Sequence, residues 1–138
     1  MPPKVTSLNH LREQIVSFIT ERDWDQFHSC KNLAISIMLE AAELLELFQW
    51  ADYTPNELKK KPKLMQKICE ELADIVIYVI SFANKLEIDL GAQIVAKLKE
   101  NEEKYPIPES IGRANKYHKY LTIKQNSTEK QGEERYCV

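Results

Sequence analysis

The sequence predicts an all-α protein, a four-helix bundle followed by a polar tail. Three observations carry that prediction. Apolar residues recur at helical spacing in four long segments. Only 3 Gly and 6 Pro are present, which leaves few sites for the tight turns of a sheet. The 138 residues, 43% of them hydrophobic, suffice for one domain with its own core. The domain is expected over residues 1–117 and the tail over 118–138, with 124–138 disordered because the composition there is polar.

A first helix is expected over residues 7–22, with Ser7 as its N-cap. Leu8, Leu11, Ile15, Phe18 and Ile19 form its apolar face. Residues 23–29 break that period and concentrate Trp24, Phe27 and His28 in a connection. Those aromatics either plug the core or form a wall on which a base stacks.

The second helix is expected from Cys30 or Asn32 to Ala51. It is apolar nearly all round and therefore central. One polar stripe crosses it: Asn32, Ser36, Glu40, Glu43 and Trp50, at about 3.6 residues per turn. Pro55 holds Thr54 out of the helical region and ends this segment. The lysine-rich residues 57–63 read as a solvated loop.

The third helix covers 64–87. Ile68, Leu72, Ile75, Val76, Val79 and Phe82 are its expected core contacts. Its polar stripe holds Lys67, Glu71, Asp74, Tyr78, Ser81 and Lys85, all within about 80° of one another. The fourth helix covers 90–104, capped by Asp89, with Leu90, Ile94, Val95 and Leu98 facing inward. Pro106 and Pro108 then stop helical structure.

The chemistry is concentrated in the two middle helices. Glu40 and Glu43 stand three residues apart among Ile37, Met38, Leu39, Ala41, Ala42, Leu44 and Leu45, and Glu71 and Asp74 repeat the pattern. Positions i and i+3 share a helix face. Two such helices packed together bring four carboxylates to one place. That cluster is costly unless a cation neutralises it. An all-oxygen donor set suits Mg²⁺, Mn²⁺ or Ca²⁺. A di-iron carboxylate site needs Glu-x-x-His, and residues 33–90 contain no histidine.

Composition excludes several other classes. A formal charge of −2 provides no global basic field for nucleic acid. Cys30, Cys69 and Cys137 are scattered, without zinc-site or disulfide spacing. The N-terminus lacks a signal-type apolar core, and no uncharged apolar run approaches a membrane span. An intracellular, cytoplasmic protein is therefore expected.

Several segments together resemble a known family. They are Glu21 to His28, Lys31 to Ala34, Glu40 to Leu44, Glu46 to Trp50, Glu70 to Tyr78, Asn101 to Pro106, and Gly112 to Tyr117. In combination they resemble the all-α nucleotide pyrophosphohydrolases of the MazG-like superfamily, and within it the dCTP pyrophosphatase branch. Leu39 stands where the superfamily motif often has a further acid, which that branch also lacks. Ile15 stands where the branch carries a pocket histidine.

The resemblance implies a Mg²⁺-dependent enzyme, with Mn²⁺ a possible substitute, that cleaves between the α and β phosphates. By position, Glu40, Glu43, Glu71 and Asp74 become metal ligands and catalytic groups. Trp24, Asp25, Gln26, Phe27, His28, Trp50 and Tyr78 line the nucleoside pocket. Lys97, Asn101, Lys104 and Lys116 hold phosphate. The expected substrate is dCTP or a modified dCTP. The alternatives are dUTP or another non-canonical nucleotide, or a non-catalytic helical interaction protein. A homodimer or tetramer is expected, because the second helix is apolar in nearly every direction.

Overall fold

The computed structural model describes residues 6–114. The structure is all-helical, with no strand among the described residues. Its elements are α1 (Leu8–Thr20), a 3-10 turn (Asp25–Phe27), α2 (Cys30–Glu46), α3 (Pro55–Lys59), α4 (Pro62–Lys85), α5 (Leu90–Lys104) and α6 (Ile107–Ser110). The four long helices predicted from periodicity are present. The expected boundary at residue 117, the tail and Lys116 lie outside the described residues. The chain divides after Leu90 into two compact units.

The helix ends of the first unit follow from local chemistry. Ser7 caps α1 by accepting from the His10 amide at 3.2 Å, and Ser29 caps α2 by accepting from Asn32 at 3.1 Å. α1 stops because Asp23 turns left-handed, φ 52°. The Trp24 amide then reaches back to Ile19 O and the Asp23 amide to Thr20 O. α4 ends the same way on Glu87, φ 54°, with Ile88 bonded to Ala83 O.

Two expectations fail here. Residues 57–63 are not simply a loop, since α3 forms over Pro55–Lys59. Thr54 and Glu57 make a capping box, with the Thr54 hydroxyl and amide donating to the Glu57 carboxylate at 2.7 and 2.8 Å. Those bonds hold that carboxyl below its ordinary range. In the second unit, α5 ends at Lys104 before Pro106 as expected, but helical structure resumes beyond it. α6 begins directly after Pro106, with Pro108 in its first turn, where a missing amide costs nothing.

α4 is the centre of the first unit and packs against α1, α2 and α3. Leu33, Ile68, Ile80, Ser81 and Ala83 are buried there. Arg12 on α1 ties to Asn84 on α4 through Nε to Oδ1 at 2.6 Å. The expected contribution of Leu72 and Val76 to this core is not met, because both are about half exposed. Phe18 on α1 is exposed as well. Met38, Leu39 and Leu45 leave a broad apolar face of α2 uncovered. In the second unit Ile94, Val95 and Leu98 are exposed rather than inward-facing. No helix among the described residues is long and apolar enough to cross a membrane.

Candidate active site

α2 and α4 bring their acids together as the helical spacing demands. Carboxylate oxygens of Glu40, Glu43 and Glu71 lie within 4.8 Å of one another. Asp74, one turn beyond Glu71 on α4, stands outside that trio, but its charge acts on both Glu40 and Glu71. Burial, then Glu43, then Asp74 and Glu71 push the Glu40 carboxyl above its ordinary range. Glu71 is raised by burial, Glu43 and Asp74, against a small opposing pull from Lys67. Among the described residues, Lys67 is the cation that opposes the rise at Glu71, and none is among the causes acting on Glu40. Close-set oxygen donors with excess negative charge fit a hard divalent cation.

Beside the acids opens a cavity of about 350 Å³ between α1 and α4. Ile15, Phe18 and Ile19 come from α1, and Ile77, Tyr78 and Ser81 from α4. Gln14, Trp24, His28 and Asp74 complete the lining. Asp74 thus belongs both to the acidic group and to the cavity wall. Helical periodicity explains the α4 wall, since Asp74, Tyr78 and Ser81 sit at i, i+4 and i+7 on one stripe.

The connection 23–28 is held from several sides. The Trp24 ring meets the Phe18 ring edge-on at 5.6 Å, and the Arg22 guanidinium covers Phe18 at 3.8 Å. Lys85 Nζ bonds both carboxylate oxygens of Asp25, and Asn32 Nδ2 donates to Phe27 O at 2.9 Å. Gln26 folds back on Asp23, reaching Oδ2 at 2.7 Å. Of the expected pocket residues, then, Trp24, His28 and Tyr78 line the cavity. Asp25 and Gln26 instead secure the turn, and Phe27 points to solvent at 62% exposure.

Trp50 is displaced most. The expected stripe assumed that α2 continues to Ala51. The helix ends at Glu46, so residues 47–50 form turns and the helical register does not reach Trp50. Its side chain is 89% exposed and lines no part of this cavity.

In the second unit, Lys97 and Lys104 both bond Glu100, Lys97 at 2.7 Å. Lys104, then Lys97, hold the Glu100 carboxyl down to about 2. Asn101 is half-buried on the same helix.

Sequence reasoning did not assign Gln14, Phe18, Ile19, Ile77 or Ser81 to the site. For Ser81 the signal was present, because it lies on the same predicted stripe as Asp74 and Tyr78.

An all-helical unit with converging carboxylates beside an aromatic cavity defines a candidate metal-dependent site for a small organic anion. Comparison with known proteins narrows this class. Residues 35–133 match the MazG-like family, and the chain belongs to that family. It is 38% identical over 112 residues to dCTP pyrophosphatase 1 of Rattus norvegicus. Identity to dCTP pyrophosphatase 1 of Homo sapiens is 34% over the same length. Each alignment covers 80% of this chain and 66% of the relative, just under two thirds of its length. A crystal structure of a pyrophosphatase from Archaeoglobus fulgidus superposes with a TM-score of 0.65 at 33% identity. That match covers 77% of this chain and 98% of the other.

Proposed function

We propose that this chain is a Mg²⁺-dependent nucleoside triphosphate pyrophosphohydrolase. It converts a (d)NTP and water into a (d)NMP and pyrophosphate, acts on dCTP or a base-modified dCTP, and serves to clean the nucleotide pool. The observation that carries this reading is the position of Asp74, which joins the acidic cluster to an aromatic cavity on one helix face. The named activities of the relatives support it.

Glu40, Glu43, Glu71 and Asp74 hold the cation. When bound, it neutralises phosphate charge and lowers the pKa of water. One carboxylate of the cluster takes the proton of the attacking water. Trp24 and Tyr78 seat the base and sugar, and the apolar walls of the cavity exclude solvent from that end of the substrate. By family resemblance, Lys97, Asn101, Lys104 and Lys116 are the candidate groups for holding phosphate oxygens. Positioning and electrostatics dominate, so no covalent nucleophile is required.

The protein acts as a homodimer or tetramer. The uncovered apolar faces of α2 and α4 support this, since association would bury them at about 25 cal/mol per Å². Trp50, exposed in one chain, would then help close the pocket of a neighbour. Light scattering at micromolar concentration is expected to give a multiple of the chain mass. A fully active species of single-chain mass would refute the assembly.

Turnover of a nucleotide panel with Mg²⁺ and with chelator tests the activity. Pyrophosphate release from dCTP that stops in chelator is expected. A protein that binds helical partners but hydrolyses no nucleotide would overturn the enzyme reading.

A further inference from the structure

We propose that the Ser81 hydroxyl selects an amino-bearing pyrimidine, cytosine rather than uracil or thymine, by facing the base with an acceptor whose own proton is already committed. The inference rests on the pyrophosphohydrolase reading and extends it to the residue that reads the base.

Ser81 is the most enclosed residue of the aromatic cavity, 5% exposed, while every other lining residue is partly or well exposed. A serine hydroxyl has one proton to donate and two lone pairs to accept with. Here the proton goes to Ile77 O, one turn back on α4, with Oγ 2.8 Å from that carbonyl. What remains for a ligand is acceptor capacity alone. The exocyclic amine of cytosine satisfies an acceptor, whereas the O4 carbonyl of uracil or thymine opposes it.

The other polar groups of the cavity do not discriminate in this way. The Gln14 amide offers a donor and an acceptor, and the His28 ring can present either. Asp74 is an acceptor, but it is claimed by the cation site. Spacing along α4 agrees with the assignment. Asp74 and Ser81 are seven residues apart, about 10 Å by helix rise, with Tyr78 between them. That span suits a nucleotide with its phosphate at the acids, its sugar against Tyr78 and the far edge of its base at Ser81.

To donate to a uracil O4, the hydroxyl must abandon Ile77 O. The selectivity is therefore modest, about three- to tenfold, the range of one neutral hydrogen bond. α4 runs unbroken through both residues, so Ser81→Ala leaves the helix ladder intact.

The test is pyrophosphate release from dCTP and dUTP with Mg²⁺, for the full chain and for Ser81→Ala. Ser81→Cys, similar in size but a weak acceptor, serves as the second variant should the alanine variant misfold. Wild type is expected to favour dCTP in kcat/KM. Both variants are expected to lose about three- to tenfold on dCTP and little on dUTP, so that the ratio collapses. A wild type that hydrolyses these nucleotides, with variants that keep its dCTP-to-dUTP ratio, overturns the Ser81 assignment alone. A wild type that releases pyrophosphate from neither overturns the enzyme reading and this inference together.

Discussion

Lys85 Nζ sits 2.9 Å from Asp25 Oδ2 and 3.0 Å from Oδ1, joining the end of α4 to the 3-10 turn sixty residues earlier. Asp25 lies between Trp24, which lines the cavity, and the outward-facing Phe27. The pair therefore sets where Trp24 and His28 stand. As an exposed pair it contributes at most about 1 kcal/mol to stability. Lys85→Ala is expected to raise KM about three- to tenfold, since a loosened wall forfeits part of a stacking contact. The melting temperature should shift little, and Lys85→Arg should restore KM. Steady-state kinetics beside thermal unfolding separates the two effects. A large loss of fold with unchanged KM would assign the pair a structural role only.

The acidic cluster predicts opposite effects on activity and stability. Glu71→Gln and Asp74→Asn are expected to abolish Mg²⁺-dependent pyrophosphate release. Each removes a like charge that acts on the neighbouring carboxylates, so each should melt higher than wild type in chelator. Mg²⁺ should raise the wild-type melting temperature, by binding the folded state alone, and raise that of the variants less. Near-normal turnover in either variant refutes the assignment.

Glu87 occupies a left-handed conformation that side chains other than glycine and asparagine disfavour. It stands where the last turn of α4 reverses, the position glycine usually takes. Glu87→Gly is expected to stabilise the protein by up to about 1 kcal/mol, because relief of a left-handed cost of about 1–2 kcal/mol outweighs an entropic cost of glycine of about 0.5–1 kcal/mol. Urea denaturation checks this, and a destabilised variant would show that the Glu87 side chain has a contact worth more than the strain.

The Glu100 carboxyl, bonded by Lys104 and Lys97, carries a signed pH dependence. Its folded value, about 2, lies below the unfolded value. The contribution is therefore complete above the ordinary carboxylate range and is lost as pH falls towards 2. Wild type and Glu100→Gln should differ most at neutral pH and converge in acid. Helicity followed from pH 6 to 2 reads the convergence, and curves that stay parallel throughout would count against the pair.

Much of this protein follows from local order in the chain. Four long helices arise because apolar side chains recur every three or four residues. Ser7 and Ser29 cap where sequence alone places a cap or a break. Glu40, Glu43 and Glu71 converge because i and i+3 share a face on helices that were bound to pack. The same arithmetic put Asp74, Tyr78 and Ser81 on one stripe of α4, where the cavity is found. The capping box of Thr54 and Glu57 is equally local, a threonine followed three residues later by a glutamate.

Tertiary structure decided the rest, wherever a residue's role depends on what lies opposite it. Trp50 stands outside the cavity of its own chain because α2 stops at Glu46, and a wheel cannot be extended past the end of its helix. Asp25 became an anchor because Lys85, distant in sequence, comes within hydrogen-bonding reach. Leu72 and Val76 lie on a helix whose apolar face is wider than its neighbours cover, and periodicity records which way a side chain points but not what meets it. Ser81 acquired its acceptor character in the same manner. The sequence placed the hydroxyl on the correct face, and only the folded helix committed its proton to Ile77 O.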